Sequence, residues 1–563
     1  MFGAFNTFGK LGAIGKAIAA AWSPLSLWPD GISSAGMWIS PRTLTSEWQD
    51  YTGTTPVSVP GTVADTSNPV GLAYDLRAGD PVLGPELVVN GDFSNGTTGW
   101  TGQNGGTCAV VGGELEVTAG AGFYGGVYQT LTLVVGRMYL LTGRMRCGTS
   151  PRAEVRIDYA GSPYTTSTTD FDIQLYFVAP YASNNIQLNP TFFATVGDTC
   201  FYSNISVREV PGNHMLQSTS AARPLMSARV NTLTYTEDLS HTWSWINGDI
   251  ATTNKLAAAT NSSPHGVRST FPAMNNPQFT VRASAAEYGF LHLASGPGIS
   301  PSDGVSYCAT FDLANGTVIK DGSWGTAAQI VAVGGGVYDC SVVSIHTGSN
   351  DAVICYGPTA TTNAYLGDGT SGVNVFRAQI SYEGTPYQSV PGDGSTYATD
   401  FPIFLKYDGV DDGMATATFA AGTLTSAMDC MIPVRRDSAA NMFLGLYNTP
   451  TDISKYFGNA EVGFVAPCYA GVGLPTVWVD GVQLEHGWAS ELGTAVTVGD
   501  WYIIEFRGLD LSAWTRLGAG GFGIGYNLNG ARGDILLYPS TTPTEDKDAA
   551  RQWLADYYGV TLA

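Results

Sequence analysis

The chain has 563 residues, enough for roughly three to five domains, and its 44% hydrophobic and 11% aromatic content supplies several cores, which excludes a disordered chain. Only 13% of residues are charged, and 26 Lys and Arg against 47 Asp and Glu leave −21 at neutral pH, a surface that repels phosphate backbones and excludes general nucleic-acid binding. No apolar run is long enough for a membrane-spanning helix, and the eight cysteines include no C-x-x-C pair, which excludes a zinc ribbon or thioredoxin motif. Spread over three β-units, the cysteines read as small buried thiols of a protein assembled in a reducing cytoplasm. Low charge with abundant Gly, Ser, Thr, Asn and Tyr suits β-structure with uncharged polar faces, fitted to neutral ligands such as sugars or to packing against identical subunits.

In chain order, residues 1–22 place Phe2, Phe5, Phe8 and Leu11 at threes, an apolar stripe. It reads either as a terminus packed on its own domain or as an anchor peptide docking on a partner; Lys10 and Lys16 interrupt it as a signal peptide. Residues 23–84 are rich in Pro, Gly, Thr and Asp, where turn signals outnumber strand signals, and read as an extended connector. Residues 85–211 hold about eight short alternating segments bounded by Gly, Pro, Asn or Ser, which predict a jelly-roll sandwich. After a linker at 212–230, residues 231–392 run through a similar cycle. Leu233–Trp245 resembles Leu87–Trp100 in outline, and the closing strands Phe376–Glu383 and Phe201–Glu209 match in kind. A tandem repeat of one sandwich is expected. Residues 393–563 form a third β-unit ending in TEDKDAARQWLADYYGV, the clearest helix in the chain, with Thr544 as expected N-cap and Gly559 as terminator. The expected fold is therefore all-β: a multidomain β-sandwich protein with an N-terminal anchor and connector and one C-terminal helix.

These residues carry resemblances. YDGVDDGM, Val477–Val482 with its Asp-Gly hairpin, and Gly533-Asp534-Ile535 before the helix resemble the concanavalin A-like (laminin G-like) lectin sandwich that closes many phage tail and virion proteins. NGDFSNGTTGW resembles the opening of family 4/9-type carbohydrate-binding modules, LTYTEDLSHTWSW resembles sandwich modules of phage structural proteins, and the connector resembles a segment near the start of phage tail proteins. The resemblance implies a non-enzymatic virion protein assembled in the bacterial cytoplasm. It would be a tail fibre or spike, homotrimeric by analogy, joined to other virion proteins through its N-terminus and binding host surface polysaccharide, with no nucleic-acid partner and no membrane insertion. A purely structural virion component, such as a head decoration or tail accessory, is the alternative. Exposed aromatic clusters favour binding, and wholly buried aromatics favour structure.

Sugar rings stack their C–H faces on aromatic side chains, so Trp100, Tyr124, Trp243, Trp245 and Trp488 are the candidate glycan contacts, with Tyr128 beside them in the first sandwich, each also a plausible core residue. Asp408, Asp411 and Asp412 lie in a Gly-containing turn; they read first as turn residues and second as oxygen ligands for calcium. No G-x-S-x-G elbow accompanies the six histidines, and GAGGFGIG lacks the following helix that a phosphate loop needs. Arg532-Gly533-Asp534 matches an adhesion tripeptide by chance, at a strand start.

Overall fold

The structure is a computed structural model. It describes residues 22–42, 47–57, 61–62, 68–78, 83–122, 124–190, 194–229, 231–241, 243–245, 250–252, 254–272, 274, 277–322, 325–344, 350–381, 387–390, 392, 402–418, 423–437, 442–448, 454–460, 467–520 and 527–563. The anchor residues Phe2, Phe5, Phe8 and Leu11 lie outside them.

The protein is all-β and multidomain, as its alternating segments predict. In the first sandwich, VYQTLT (Val127–Thr132) buries Val127, Gln129 and Leu131 and turns Thr130 and Thr132 outward, the period-two pattern of a half-buried strand. Two five-stranded antiparallel sheets enclose one core that includes Trp100, Val117, Leu141, Ile186 and Val207. One sheet runs Tyr164–Thr165, Ala153–Ile157, Ser183–Pro190, Val127–Thr132, Thr101–Gly102. The other runs Phe171–Val178, Met138–Cys147, Thr199–Val210, Glu114–Thr118, Thr107–Val111.

The second sandwich repeats this strand order and adds one edge strand to each sheet, Thr317–Lys320 and Gly325–Gly334. The repeat extends to side chains. Asp92 accepts from the backbone and hydroxyl of Ser94, and Asp238 does the same for Ser240. The residues between, Phe93 and Leu239, are buried, and a core tryptophan follows each, Trp100 and Trp243.

The terminal sandwich departs from the expected string of units. Met37–Ile39 pairs with Ile535–Pro539, Gly61–Thr62 with Leu225–Arg229, and Leu225–Arg229 with Phe404–Asp408. In the facing sheet Glu47–Trp48 pairs with Leu72–Ala73, which pairs with Met215–Leu216 and so joins Gly413–Thr416. The stretches read as connector (23–84) and linker (212–230) are thus strands of the terminal sandwich; the first jelly roll is inserted between them, and the second between the linker strands and Phe404–Asp408. Pieces of two to five residues carry no local periodicity, so their partners, up to about 500 positions away, are invisible in a window of sequence.

The first jelly roll is also tied laterally. Tyr176 N donates to Thr52 O at 2.9 Å, Gln174 Nε2 to Gly53 O at 2.7 Å, and Leu72, Tyr74, Leu76, Met138, Tyr176 and Val210 form a shared apolar cluster. Seven cysteines are buried, Cys108 is half-buried, and none forms a disulfide.

The C-terminal helix spans Thr544–Tyr558. Thr544 is its first residue rather than its cap, and Gly559 ends it in the left-handed region at φ 71°. Ala550, Leu554, Ala555 and Tyr558 pack on Leu27, Trp28, Met431, Ile503, Leu536 and Tyr538. A second short helix, Ala489–Ala495, was not anticipated.

Glu47 is buried in this sandwich, and neither carboxylate oxygen has a hydrogen-bond partner. Burial, then repulsion from Asp534, pushes its carboxyl well above the usual carboxylate range. The folded state therefore holds this proton more tightly than the unfolded chain, so the stability it contributes is present at low pH. That stability is lost as pH rises above the unfolded value near 4.5. Glu47→Gln, which is always neutral, is expected to melt with the parent at pH 4 and several degrees above it at pH 8. Equal melting at both pH values would refute the neutral-acid assignment.

Candidate functional site

The first sandwich presents the outward face of the sheet that holds Val127–Thr132 and Ser183–Pro190. Antiparallel register aligns Thr101, Tyr128, Gln187 and Arg156 in one row across four strands, roughly 14 Å at about 4.8 Å per strand. The next row brings Asn189, Glu154 and Tyr164 together.

The floor is a hydrogen-bonded amide layer. Gln103 Nε2 donates to Gln187 Oε1 at 3.1 Å and Asn189 Oδ1 at 3.2 Å; Gln187 Nε2 donates to Asp158 Oδ1 at 2.7 Å, and Asn185 Nδ2 to Asp158 Oδ2 at 3.0 Å. Arg152 pairs with Glu154 at 3.1 Å. Gln187, Asn189 and Glu154 are buried, so the layer fixes the strands and side chains that stand over it.

Tyrosines rim this floor. Tyr124 and Tyr128 are half-buried, Tyr164 is exposed beneath the Arg152 guanidinium (3.6 Å to the ring centroid), and Arg156 lies 4.8 Å from the Tyr124 ring. At the opposite end Tyr159, 80% exposed, and Tyr181, 53% exposed, form an edge-to-face pair with centroids 5.4 Å apart. Tyr124 and Tyr159 both adopt left-handed backbone, φ 54° and 60°, an unfavourable conformation for a bulky residue that the surrounding structure must enforce. Around Tyr124 the enforcement is visible. Gln103 Nε2 donates to Tyr124 O at 3.0 Å, and the glycine loops beside it touch backbone to backbone: a Cβ on Gly106 would lie 2.4 Å from Gly126 N.

The equivalent face of the second sandwich is closed. The register places Ser244, Arg268, Val353 and Ala294 where the first sandwich has Thr101, Tyr128, Gln187 and Arg156. His292 and Cys355 replace Glu154 and Asn189. Ala294, Val353 and Cys355 are buried under Ile299, Val305 and Cys308 of the following loop, and burial, with Lys320 nearby, lowers the His292 pKa to about 4.

Of the residues singled out in the sequence, Tyr124 and Tyr128 stand on the open face. Trp100 and Trp243 are corrected to core residues, 7% and 2% exposed. Trp100 packs on Phe93 and donates Nε1–H to Asn90 O, and Trp243 stacks near Phe279. Trp245 is half-buried against the second core. Trp488 is half-buried at the start of Ala489–Ala495 and stacked on His486 at 4.2 Å. Glu491 takes the His486 ring nitrogen and the backbone N–H groups of His486 and Trp488, so this cluster closes a helix end. Arg532 and Asp534 are buried, which removes the tripeptide as a surface motif.

Sequence reasoning missed Tyr159, Tyr164, Tyr181, Arg156 and Gln187. The available signal was tyrosine set among turn formers, in DYAGS and PYASN, rather than at alternating strand positions.

Asp408, Asp411 and Asp412 bring one oxygen each within 4.8 Å of one another. Asp408 Oδ1 already accepts from Val410 N and Asp411 N, and Asp412 Oδ2 from Asp408 N, which is turn chemistry. Asp412 is buried, and burial plus the Asp408 charge raises its pKa to about 7. These oxygens are the ones a hard cation would use.

No protein-family model matches the chain, and no curated protein matches it. Among solved structures, a CBM4 structure is 15% identical, covering 22% of this chain and 99% of its own, with a TM-score of 0.19. The CBM22-1–CBM22-2 tandem domain of Paenibacillus barcinonensis Xyn10C is 12% identical, covering 54% of this chain and 98% of its own, with a TM-score of 0.24. A family 16 carbohydrate-binding module is 17% identical over 22% of this chain and 98% of its own, at 0.19. These are likenesses alone; the ligand reading below rests on side chains.

Proposed function

We propose that the protein is a non-catalytic glycan-binding protein whose binding surface is the open face of the first sandwich. The observation that carries this reading is the ring of half-buried and exposed tyrosines around an amide floor, two of them held in left-handed backbone. Tyrosine faces meet C–H surfaces, and Thr101 and Arg156, standing in the row above the buried amide layer, meet hydroxyls, which is what a saccharide chain requires. The sealed face of the second sandwich supports assigning that sandwich a structural role.

The finer reading is a virion fibre or spike that adsorbs to host surface polysaccharide, homotrimeric, attached to other virion proteins through residues 1–22, with calcium at Asp408, Asp411 and Asp412. Its support is the order of the sequence resemblances together with this face. Copies on one particle would raise the effective strength of weak single sites. The alternative, a purely structural virion component, draws on the interwoven terminal sandwich and the buried tryptophans.

The test is binding of the full chain to a glycan array and to intact bacterial cells, with and without EDTA. Tyr124→Ala and Tyr128→Ala are each expected to weaken binding about tenfold or more while leaving the melting temperature near that of the parent. Trp100→Ala, by contrast, is expected to cost about 3–5 kcal/mol of stability. Saturable, sugar-competed binding that these tyrosine variants lose supports the reading. Absence of binding by the folded chain moves the assignment to the structural component, and loss with EDTA supports the calcium site.

A further inference from the structure

The open face contains a cation that pairs with no carboxylate among the described residues. Of the arginines in the first sandwich, Arg137, Arg144, Arg146, Arg152 and Arg208 each reach a carboxylate within 4 Å. Among the described residues Arg156 reaches none, although two carboxylates share its strand face. Glu154, two residues before it, is taken by Arg152, and Asp158, two residues after it, is taken by the amides of Asn185 and Gln187. The Arg156 guanidinium is left beside the Tyr124 ring, in one row with Gln187 and Tyr128. In the second sandwich, where the face is sealed, the same register position is Ala294.

Resting on the glycan reading of this face, we propose that its ligand is an acidic saccharide, a chain carrying uronic or other sugar carboxylates, and that Arg156 receives the carboxylate while Tyr124 and Tyr128 stack on the ring. A planar guanidinium with free donors matches a carboxylate in two parallel hydrogen bonds, stronger than bonds to hydroxyls. The Glu154 charge is paired with Arg152, while Asp158, bonded to neutral amides, keeps its charge, so the preference for an acidic ligand rests on direct hydrogen bonds to the guanidinium. The chain's −21 opposes a polyanion at long range, but at physiological salt that field is screened beyond about 8 Å, and contact interactions decide.

The experiment measures binding of the full chain to polygalacturonate and alginate, against neutral xylan, glucan and mannan, at two salt concentrations. Expected is binding to an acidic polymer about tenfold or more tighter than to the neutral ones, weakened by salt. Arg156→Gln removes that preference at an unchanged melting temperature, and Arg156→Lys restores it only in part. Binding to neutral polymers with equal affinity, indifferent to Arg156→Gln and to salt, overturns the acidic ligand and leaves the glycan reading standing. Binding to none of the polymers by the folded chain overturns both.

Discussion

A chain beginning at residue 85 is expected to lose the cooperative unfolding transition of the terminal sandwich. The truncation removes the strands Met37–Ile39, Glu47–Trp48, Gly61–Thr62 and Leu72–Ala73, which complete both terminal sheets. It also removes the buried side chains of Leu27, Trp28, Met37, Ile39, Val70, Leu72 and Tyr74. At about 1.5–3 kcal/mol for each large apolar side chain, seven such losses match or exceed the roughly 5–15 kcal/mol by which a domain is stable. Ile535–Pro539 would lose one of its two partner strands, keeping Met428–Arg436, and the face under Trp28 would open to water beside the C-terminal helix. The first jelly roll has its own closed core, so its transition is expected to persist in the truncated chain. Calorimetry of the two chains decides this. A truncated chain that keeps every transition would refute the interwoven architecture.

Asp534→Ala is expected to cost about 3–5 kcal/mol, the range for removing one member of a buried ion pair. Asp534 is fully buried and accepts from Arg42 Nε at 2.8 Å, Trp38 Nε1 at 3.2 Å and the Tyr558 hydroxyl at 3.0 Å. It joins the N-terminal strand region, the last sheet strand and the C-terminal helix at one point. Arg42 is held between the rings of Trp553 and Tyr557, each 3.7 Å from the guanidinium carbon. Removing the carboxylate leaves a buried cation without its counter-charge and an indole N–H without its acceptor. Because the groups act together, Asp534→Ala combined with Arg42→Met is expected to cost less than the sum of the single changes. Denaturant unfolding gives the numbers, and a loss below about 1 kcal/mol for Asp534→Ala would refute the anchoring role.

Much of the architecture was legible because it is local. Alternation in VYQTLT and MYLLTGRMRC marks strands whatever they pair with, and the Asp-apolar-Ser segment followed by Trp marks the start of each jelly roll. The C-terminal helix was equally plain, since its apolar face falls within fifteen residues and Gly559 ends it, although its start lies one residue from the expected cap. The site was legible at Tyr124 and Tyr128 alone. Tryptophans drew attention because their rings stack well on sugars, but large rings also fill cores. Trp100 and Trp243 sit at the repeated position where the chain enters each sandwich, under an Asp-capped turn. Composition cannot separate these two uses of an aromatic ring.

What the sequence determined by itself is the β-class, the repeat, the closing helix and the acidic, sparsely charged surface. These follow from side-chain period, caps and charge counts, quantities that need no partner. Only the tertiary structure decided that the Pro- and Gly-rich stretches are sheet strands, that one jelly-roll face is open and its twin sealed, and that Arg156 stands without a carboxylate. Each of those depends on register between distant strands, which sets what lies 4–5 Å away across a sheet while leaving no mark on neighbouring positions in the chain.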